Sequence, residues 1–301
     1  EQHMSKKKLA YFVQFPIHYQ VPLLQKLSEI VDLKVFFISD ITTKEFNDKG
    51  FGKIKWSVPL LEGYNYEVMN PIKDNGVYSF FNPIVTGVRK ALHSEEWDAV
   101  WVHGYAHYAL VYTIYLALRK KIPLFFRGES NLISTGRGTL KDIFVRKIIR
   151  DAKALLWIST NNKEYYQHYG AEEKKLIFCP YAVNNEYFQK KSIGFKDEVI
   201  KKKKELGLAE GIPIILYASK LSKRKNPIDL FDAYVKKLKM DSDLPKAYLL
   251  YVGAGPEEER LKEKIEENKL GKYVKLLGFK NQDILPLYYE MSDVYVLPSN
   301  R

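Results

Sequence analysis

The feature that most constrains this chain is an alternation of strand-length apolar runs with helical stretches across its first half. Leu9 to Phe15, Leu33 to Ile38, Tyr66 to Met69, Ala99 to His103, Ile122 to Phe126, Ala154 to Ile158 and Leu176 to Cys179 are short and almost wholly apolar. A strand apolar on both faces is buried on both faces, and that happens where helices cover the two sides of a parallel sheet. Helical spacing between the runs, at "PIHYQVPLLQKLSEI", His107 to Lys120, Thr139 to Asp151 and Asn161 to Tyr169, supplies those helices. Asn82 and Pro83 carry a cap-plus-proline signature that opens a further helix to about His93, and Asp40 to Gly63 reads as a polar connection. The pattern predicts a doubly wound α/β domain over residues 5–185.

Pro180 to Ile193 lacks periodicity and is the expected hinge. A second α/β domain then follows over residues 195–301. Lys201 to Lys204 within "DEVIKKKKELGL" reads as a solvated helix face.

The most specific chemistry lies in "IPIILYASKLSKRKNPIDLFDAYVKKL". Ile212 to Ser219 is a buried strand, and Asn226 caps a helix that has Pro227 at its first position. Between them stand Lys220, Lys223, Arg224 and Lys225. A helix N-terminus already carries about half a positive charge, so cations there are unfavourable unless an anion is bound. In an open α/β sheet that anion sits outside the carboxyl ends of the strands, which points to a phosphate or diphosphate. A solvated basic loop is the plainer alternative.

Further on, "LLYVGAGPEEERL" places Gly253 and Gly255 in a tight turn, with Pro256 starting a helix whose first turn is acidic. A dinucleotide fingerprint needs a third glycine where Glu258 stands, which argues against a nicotinamide dehydrogenase. "DSD" at Asp241 to Asp243 mimics a D-x-D metal motif but falls in a turn away from a strand end, so no metal site is expected.

Composition narrows the partners. Among 301 residues, Lys and Arg number 48 against 36 Asp and Glu, a net charge of +12, which favours anionic ligands. Recognition-helix, RNP and zinc-spacing signatures of nucleic-acid binders are missing, so no nucleic acid is expected. The single cysteine, Cys179, makes no internal disulfide, and no apolar run approaches the length of a membrane span. The chain reads as cytoplasmic.

Taken together, "SKLSKRKNP", "LLYVGAGPEEERL", "VKLLGF" and "YYEMSDVYVLPSNR" resemble the nucleotide-binding domain of glycosyltransferase family 4, retaining enzymes with the GT-B fold. "FPIHYQVPLLQKL", "WSVPLLEGY", "FRGES" and "PYAVNN" resemble the first domain of one branch of that family. The resemblance implies two doubly wound, Rossmann-like domains facing a cleft, and transfer of a sugar from a nucleoside diphosphate donor with retention. Where the family has Arg in the loop after the first strand of the second domain, this chain has Lys220, which keeps the charge and loses the forked geometry.

The resemblance implies a donor site at Lys220, Lys225, Asn226, Gly253 and Gly278, for UDP- or GDP-sugar with no cofactor and no metal. It makes Arg127, Glu129 and His18 candidate catalytic residues, with His103 and Ser130 on the side of a glycan or lipid-linked acceptor. A buried ion pair shaping the loop is the alternative for Arg127 and Glu129, and a satisfied structural histidine for His18 and His103. Polysaccharide or lipid-linked oligosaccharide synthesis, with a peripheral contact at the inner membrane face, is compatible with the basic surface. Family members continue after "LPS" with a Glu, seven residues and a second Glu, so the second domain is expected to be incomplete at Arg301 and transfer by these 301 residues weak or absent. The competing reading is a non-catalytic nucleotide-sugar-binding module.

Overall fold

The computed structural model describes residues 5–48, 50–133, 138–240 and 247–300. Its strands are β1 (Lys8–Val13), β2 (Asp32–Phe37), β3 (Phe46–Asp48), β4 (Gly52–Ile54), β5 (Asn65–Val68), β6 (Asn70–Lys73), β7 (Ile84–Thr86), β8 (Ala99–His103), β9 (Leu124–Arg127), β10 (Ala154–Trp157), β11 (Leu176–Phe178), β12 (Ile214–Ala218), β13 (Tyr248–Val252), β14 (Val274–Leu276) and β15 (Val294–Tyr295). The helices are α1 (Val21–Ile30), α2 (Val88–His93), α3 (Tyr108–Arg119), α4 (Thr139–Asp151), α5 (Thr160–His168), α6 (Asn185–Gly194), α7 (Lys196–Glu205), α8 (Pro227–Met240), α9 (Glu258–Glu267) and α10 (Leu285–Glu290).

The chain divides into two compact units. The first comprises residues 1–44 and 59–183; the second comprises 45–58 and 184–301. Residues 45–58, inside the stretch read as the first domain, thus group with the second unit.

The first unit is built on a parallel sheet of order β11-β10-β9-β8-β1-β2-β5. Its central strands β1 and β8 are the most apolar segments and the most buried, because helices pack on both faces. Phe12 and Phe36 stack at 4.6 Å between ring centres, and Val100, Leu110, Ile148 and Tyr166 complete the same core. The second unit has a parallel sheet of order β14-β13-β12-β15, with Phe231, Tyr251 and Leu261 buried on one side and Leu216, Leu250 and Met291 on the other.

Several local expectations are corrected. The helix expected from Asn82 starts only at Val88, because Ile84–Thr86 is the strand β7, paired antiparallel with β6, and the Asn82 amide donates to Asp74 and the Val77 carbonyl instead of capping. The expected hinge contains α6, which has no fully buried side chain and so left no periodic signal. The connection from Asp40 to Gly63 contains the β3–β4 hairpin. The helix expected from Pro256 begins at Glu258. Lys201 to Lys204 lie on α7, where Lys201 and Lys204 are exposed but Lys202 and Lys203 are half-buried, Lys202 pairing with Glu205 at 2.7 Å. The Asp241 to Asp243 segment is outside the described residues.

Candidate functional site

In the first unit, side chains gather at the carboxyl ends of the neighbouring strands β1, β8 and β9. The register pairs Tyr11 with Trp101 and His103 with Arg127, so Tyr11, His103 and Arg127 come to one edge of the sheet. Tyr11 places its hydroxyl 2.7 Å from His103 Nδ1, and the Gln20 amide is 3.3 Å from the same nitrogen. On the other side of the ring, Nε2 lies 3.3 Å from Glu129 Oε1 and 3.3 Å from the Tyr181 hydroxyl. Two donors at Nδ1 and a carboxylate at Nε2 fit the neutral ring protonated on Nε2. Burial lowers the His103 pKa, opposed by its bond to Glu129. The Glu129 carboxyl is held below the usual range chiefly by the His103 hydrogen bond, helped by Tyr181, which donates its hydroxyl to Oε1. Glu129 is therefore ionised near neutrality.

Arg127 is fully buried and lies with its guanidinium 4.3 Å from the centre of the Tyr181 ring. Its Nε and Nη2 have no hydrogen-bond partner among the described residues. Glu129 pairs with His103, so the anticipated alternative of an Arg127–Glu129 ion pair is not what the structure shows. Ser130 Oγ is 3.0 Å from the Tyr105 hydroxyl, and its carbonyl accepts from Asn162. Val13, Gln20, His103, Tyr105, Glu129 and Ser130 are among the residues around a cavity of about 360 Å³. His18 is not part of that lining, although Ile17 and Gln20 on either side are; its ring meets Tyr19 edge to face at 5.4 Å.

In the second unit the loop after β12 is fastened to the loop after β13. Ser219 N donates to the Val252 carbonyl at 3.0 Å, Leu221 N to Ala254 at 2.9 Å, and Glu257 N to Leu221 at 2.9 Å. Gly253 and Gly255 make this approach possible: a Cβ at Gly253 would lie 1.9 Å from the Ser219 carbonyl oxygen, and one at Gly255 2.4 Å from that of Leu221. Gly253 N also donates to the Gly278 carbonyl at 2.9 Å, which brings the end of β14 into the group.

The cationic loop is bracketed by one buried hydroxyl. Tyr217 Oη is 2.8 Å from the Lys220 carbonyl oxygen and 3.4 Å from that of Lys225. Lys223 to Lys225 form a short 3-10 turn, and Asn226 has a left-handed φ of 48° immediately before Pro227 starts α8. Asn tolerates that conformation better than most residues, and Asn226 keeps the position before the helix, where its carbonyl accepts from Leu230 N at 3.4 Å. Lys225 has its pKa lowered by burial and by Arg224, a cost that a bound anion would offset. Lys220 pairs with Asp48 at 2.6 Å.

Sequence reasoning did not find Tyr11, Gln20, Tyr181, Tyr217 or Asp48. Each acts through a partner distant in sequence or through a hydroxyl on an otherwise apolar run. Only the density of tyrosine, 22 in all, gave notice of such networks.

Residues 198–301 match the family of glycosyl transferases group 1. This segment holds the loop from Lys220 to Asn226, Gly253 and Gly278, so the group 1 match falls on the residues that form the cationic loop and its supports. The chain is 28% identical over 122 residues to the alpha-monoglucosyldiacylglycerol synthase of Acholeplasma laidlawii, covering 40% of this chain and 30% of that protein. It is 30% identical over 96 residues to the 2-deoxystreptamine N-acetyl-D-glucosaminyltransferase of Streptomyces fradiae, covering 32% and 23%. The chain thus spans less than a third of the length of either curated relative.

Among solved structures, a glycosyltransferase from Rickettsia africae matches with a TM-score of 0.71 at 17% identity, over 98% of this chain and 73% of that one. HepE of Anabaena, solved in complex with UDP, matches at 0.66 and 16% identity, over 98% and 74%. At such identities the likeness is one of fold, and the fold class is that of the GT-B glycosyltransferases, with Rossmann-like parallel α/β units.

Proposed function

We propose that this chain carries the donor and acceptor sites of a retaining, family 4 glycosyltransferase, moving a sugar from a nucleoside diphosphate sugar to a hydroxyl of a glycan or lipid-linked acceptor. The observation that carries the reading is the loop from Lys220 to Asn226: several cations held at the carboxyl end of β12 by Tyr217 and by the glycine turn after β13, with Lys225 partly desolvated. A loop arranged for stability alone would not gather like charges beside a helix N-terminus.

In this reading Lys220, Lys225 and the backbone N–H groups near Asn226 bind the diphosphate and stabilise it as the leaving group when the anomeric C–O bond breaks. Gly253 lets the turn after β13 close on the cationic loop, and Gly278 ties the end of β14 to that turn through its carbonyl. The ionised Glu129, fixed by His103 and Tyr181, serves the acceptor side, where a carboxylate can accept the hydroxyl proton or face the developing positive charge at the anomeric carbon. Ser130 adds a contact near the reacting sugars, and Arg127, whose Nε and Nη2 have no hydrogen-bond partner among the described residues, lies buried behind them as a fixed positive charge. His18 keeps a place beside them as a neutral group.

UDP is favoured over GDP by HepE, whose structure contains UDP. Both curated relatives are named for transfer of glucosyl-type sugars, one of them to a diacylglycerol lipid. None of the described helices is long and apolar enough to cross a membrane. A net charge of +12 favours contact with an anionic lipid surface if the acceptor is lipid-linked.

The test is to incubate the protein with UDP- and GDP-sugars and short glycan or glycolipid acceptors, and to assign the anomeric configuration of any product by NMR. Any product formed is expected to carry the donor's configuration, with turnover weak. Nucleotide-sugar binding without turnover in a protein extended past residue 301 would instead favour the non-catalytic module, and an inverted product would overturn retention.

A further inference from the structure

The hairpin formed by β3 and β4 places a carboxylate on the lysine that the donor reading assigns to the diphosphate. Asp48, at the end of β3, accepts the Lys220 ammonium at 2.6 Å on Oδ1. The same oxygen accepts the backbone N–H of Gly50 at 2.8 Å and of Phe51 at 3.0 Å. Asp48 is thereby fixed by its own turn before it meets the lysine. Burial pushes its pKa up, but the bonds from Lys220, Gly50 and Phe51 outweigh that and leave it below the ordinary value.

The rest of the Lys220 side chain is confined as well. The ammonium lies 5.0 Å from the centre of the Phe51 ring, and a Cβ on Gly50 would come within 2.3 Å of Lys220 Cδ, so the stem runs against bare backbone. Phe51 is backed by Phe279 at 4.8 Å, one residue after Gly278. Further along, Asn281 donates to the Lys55 carbonyl at 2.6 Å and the Ser57 hydroxyl donates to Asp283 at 2.7 Å. The hairpin is thus fastened at several points within the second unit.

We propose that Asp48 is a positioning residue: with Gly50 and Phe51 it holds the Lys220 ammonium in one pose, ready to receive the phosphates of a nucleoside diphosphate. The proposal rests on the donor-site reading of Lys220. An ammonium has three N–H donors, and Asp48 occupies one, leaving two for phosphate oxygens. A free lysine would lose side-chain entropy on binding; a lysine already held loses less, so affinity rises by preorganisation. Asparagine at position 48 keeps an acceptor oxygen in the same place, whereas alanine removes it.

The experiment is calorimetric titration of UDP, and of uridine as a control, into the wild-type chain and the variants K220A, D48A, D48N and K220A/D48A. Expected are weakening of UDP by about tenfold in D48A, within about threefold of wild type in D48N, uridine unchanged in both, and no further loss from D48A when Lys220 is already absent. The uridine control and the double variant separate positioning from a general loss of folding, which would move every ligand. If K220A weakens UDP while D48A leaves it unchanged or tightens it, Asp48 is a spectator or a competitor for the lysine, and the proposal is overturned with the donor reading intact. If UDP does not bind, or binds K220A as well as wild type, the donor reading fails and takes the proposal with it.

Discussion

Tyr11 places its hydroxyl 2.7 Å from Nδ1 of His103, and with the Glu129 carboxylate facing Nε2 the hydroxyl takes the donor role, which favours the proton on the nitrogen toward Glu129. With Nδ1 occupied as an acceptor, the ring is protonated on Nε2 and can bond the Glu129 carboxylate. Replacing the tyrosine by phenylalanine leaves only the more distant Gln20 amide on Nδ1. Tyr11→Phe is expected to mix the two tautomers, visible in the imidazole nitrogen shifts of His103, and to cost about 1 kcal/mol of stability. Unchanged shifts would show that Gln20 or Glu129 alone fixes the ring.

Glu129 draws its low pKa first from His103 and then from Tyr181, against the opposing effect of burial. Glu129→Gln keeps the shape and removes the charge. Transfer is expected to fall by about a hundredfold, with UDP affinity changed by less than about twofold. A parallel loss of UDP binding would move Glu129 from the acceptor side to the donor side.

Burial holds the His18 imidazole at about 4 against an ordinary 6.5. Because the folded value is the lower one, the unfolded chain takes up the proton first as the pH falls. The contribution of neutral His18 is complete above about pH 6.5 and is lost progressively toward about pH 4. His18→Gln should therefore flatten the decline in stability over this window by about 1–2 kcal/mol, after discounting for partial solvent screening. Tryptophan fluorescence during urea unfolding measures it, since Trp97, Trp101 and Trp157 all lie in the first unit. Equal slopes for variant and wild type would contradict the buried neutral state.

Gly253 has a φ of 146° and no room for a methyl group beside the Ser219 carbonyl. Gly253→Ala is expected to destabilise the second unit by about 2–3 kcal/mol and to weaken UDP severely, because the turn must withdraw from the loop that carries Lys220. Circular dichroism melting and calorimetry measure the two effects. A stable variant with intact UDP binding would show that the two loops need not touch.

What was legible in the sequence follows from where burial is complete. β1, β8, β12 and β13 have both faces covered and read as unbroken apolar runs, so the α/β class was plain. α6 has no fully buried side chain, its aromatic pair Tyr187 and Phe188 being only half-buried, and so gave no apolar spacing to read. β7 was hidden behind Asn82 and Pro83, a pair equally at home in a turn, where Asn82 bonds Asp74. The cationic loop was legible because cations beside a helix start violate a local preference. Its supports were not: Tyr217 sits in an apolar run where its hydroxyl looks incidental, and Asp48 meets Lys220 only after the chain has folded.

The most direct test of the account is calorimetric titration of UDP into the chain and into Lys225→Ala, the partly desolvated lysine of the loop. The account predicts that UDP binds, that Lys225→Ala weakens it by at least about tenfold, and that uridine binds both proteins alike, since the lysine addresses only the diphosphate. Equal binding of UDP by wild type and Lys225→Ala, or a failure of the wild type to bind either UDP or GDP, would contradict a diphosphate site at this loop.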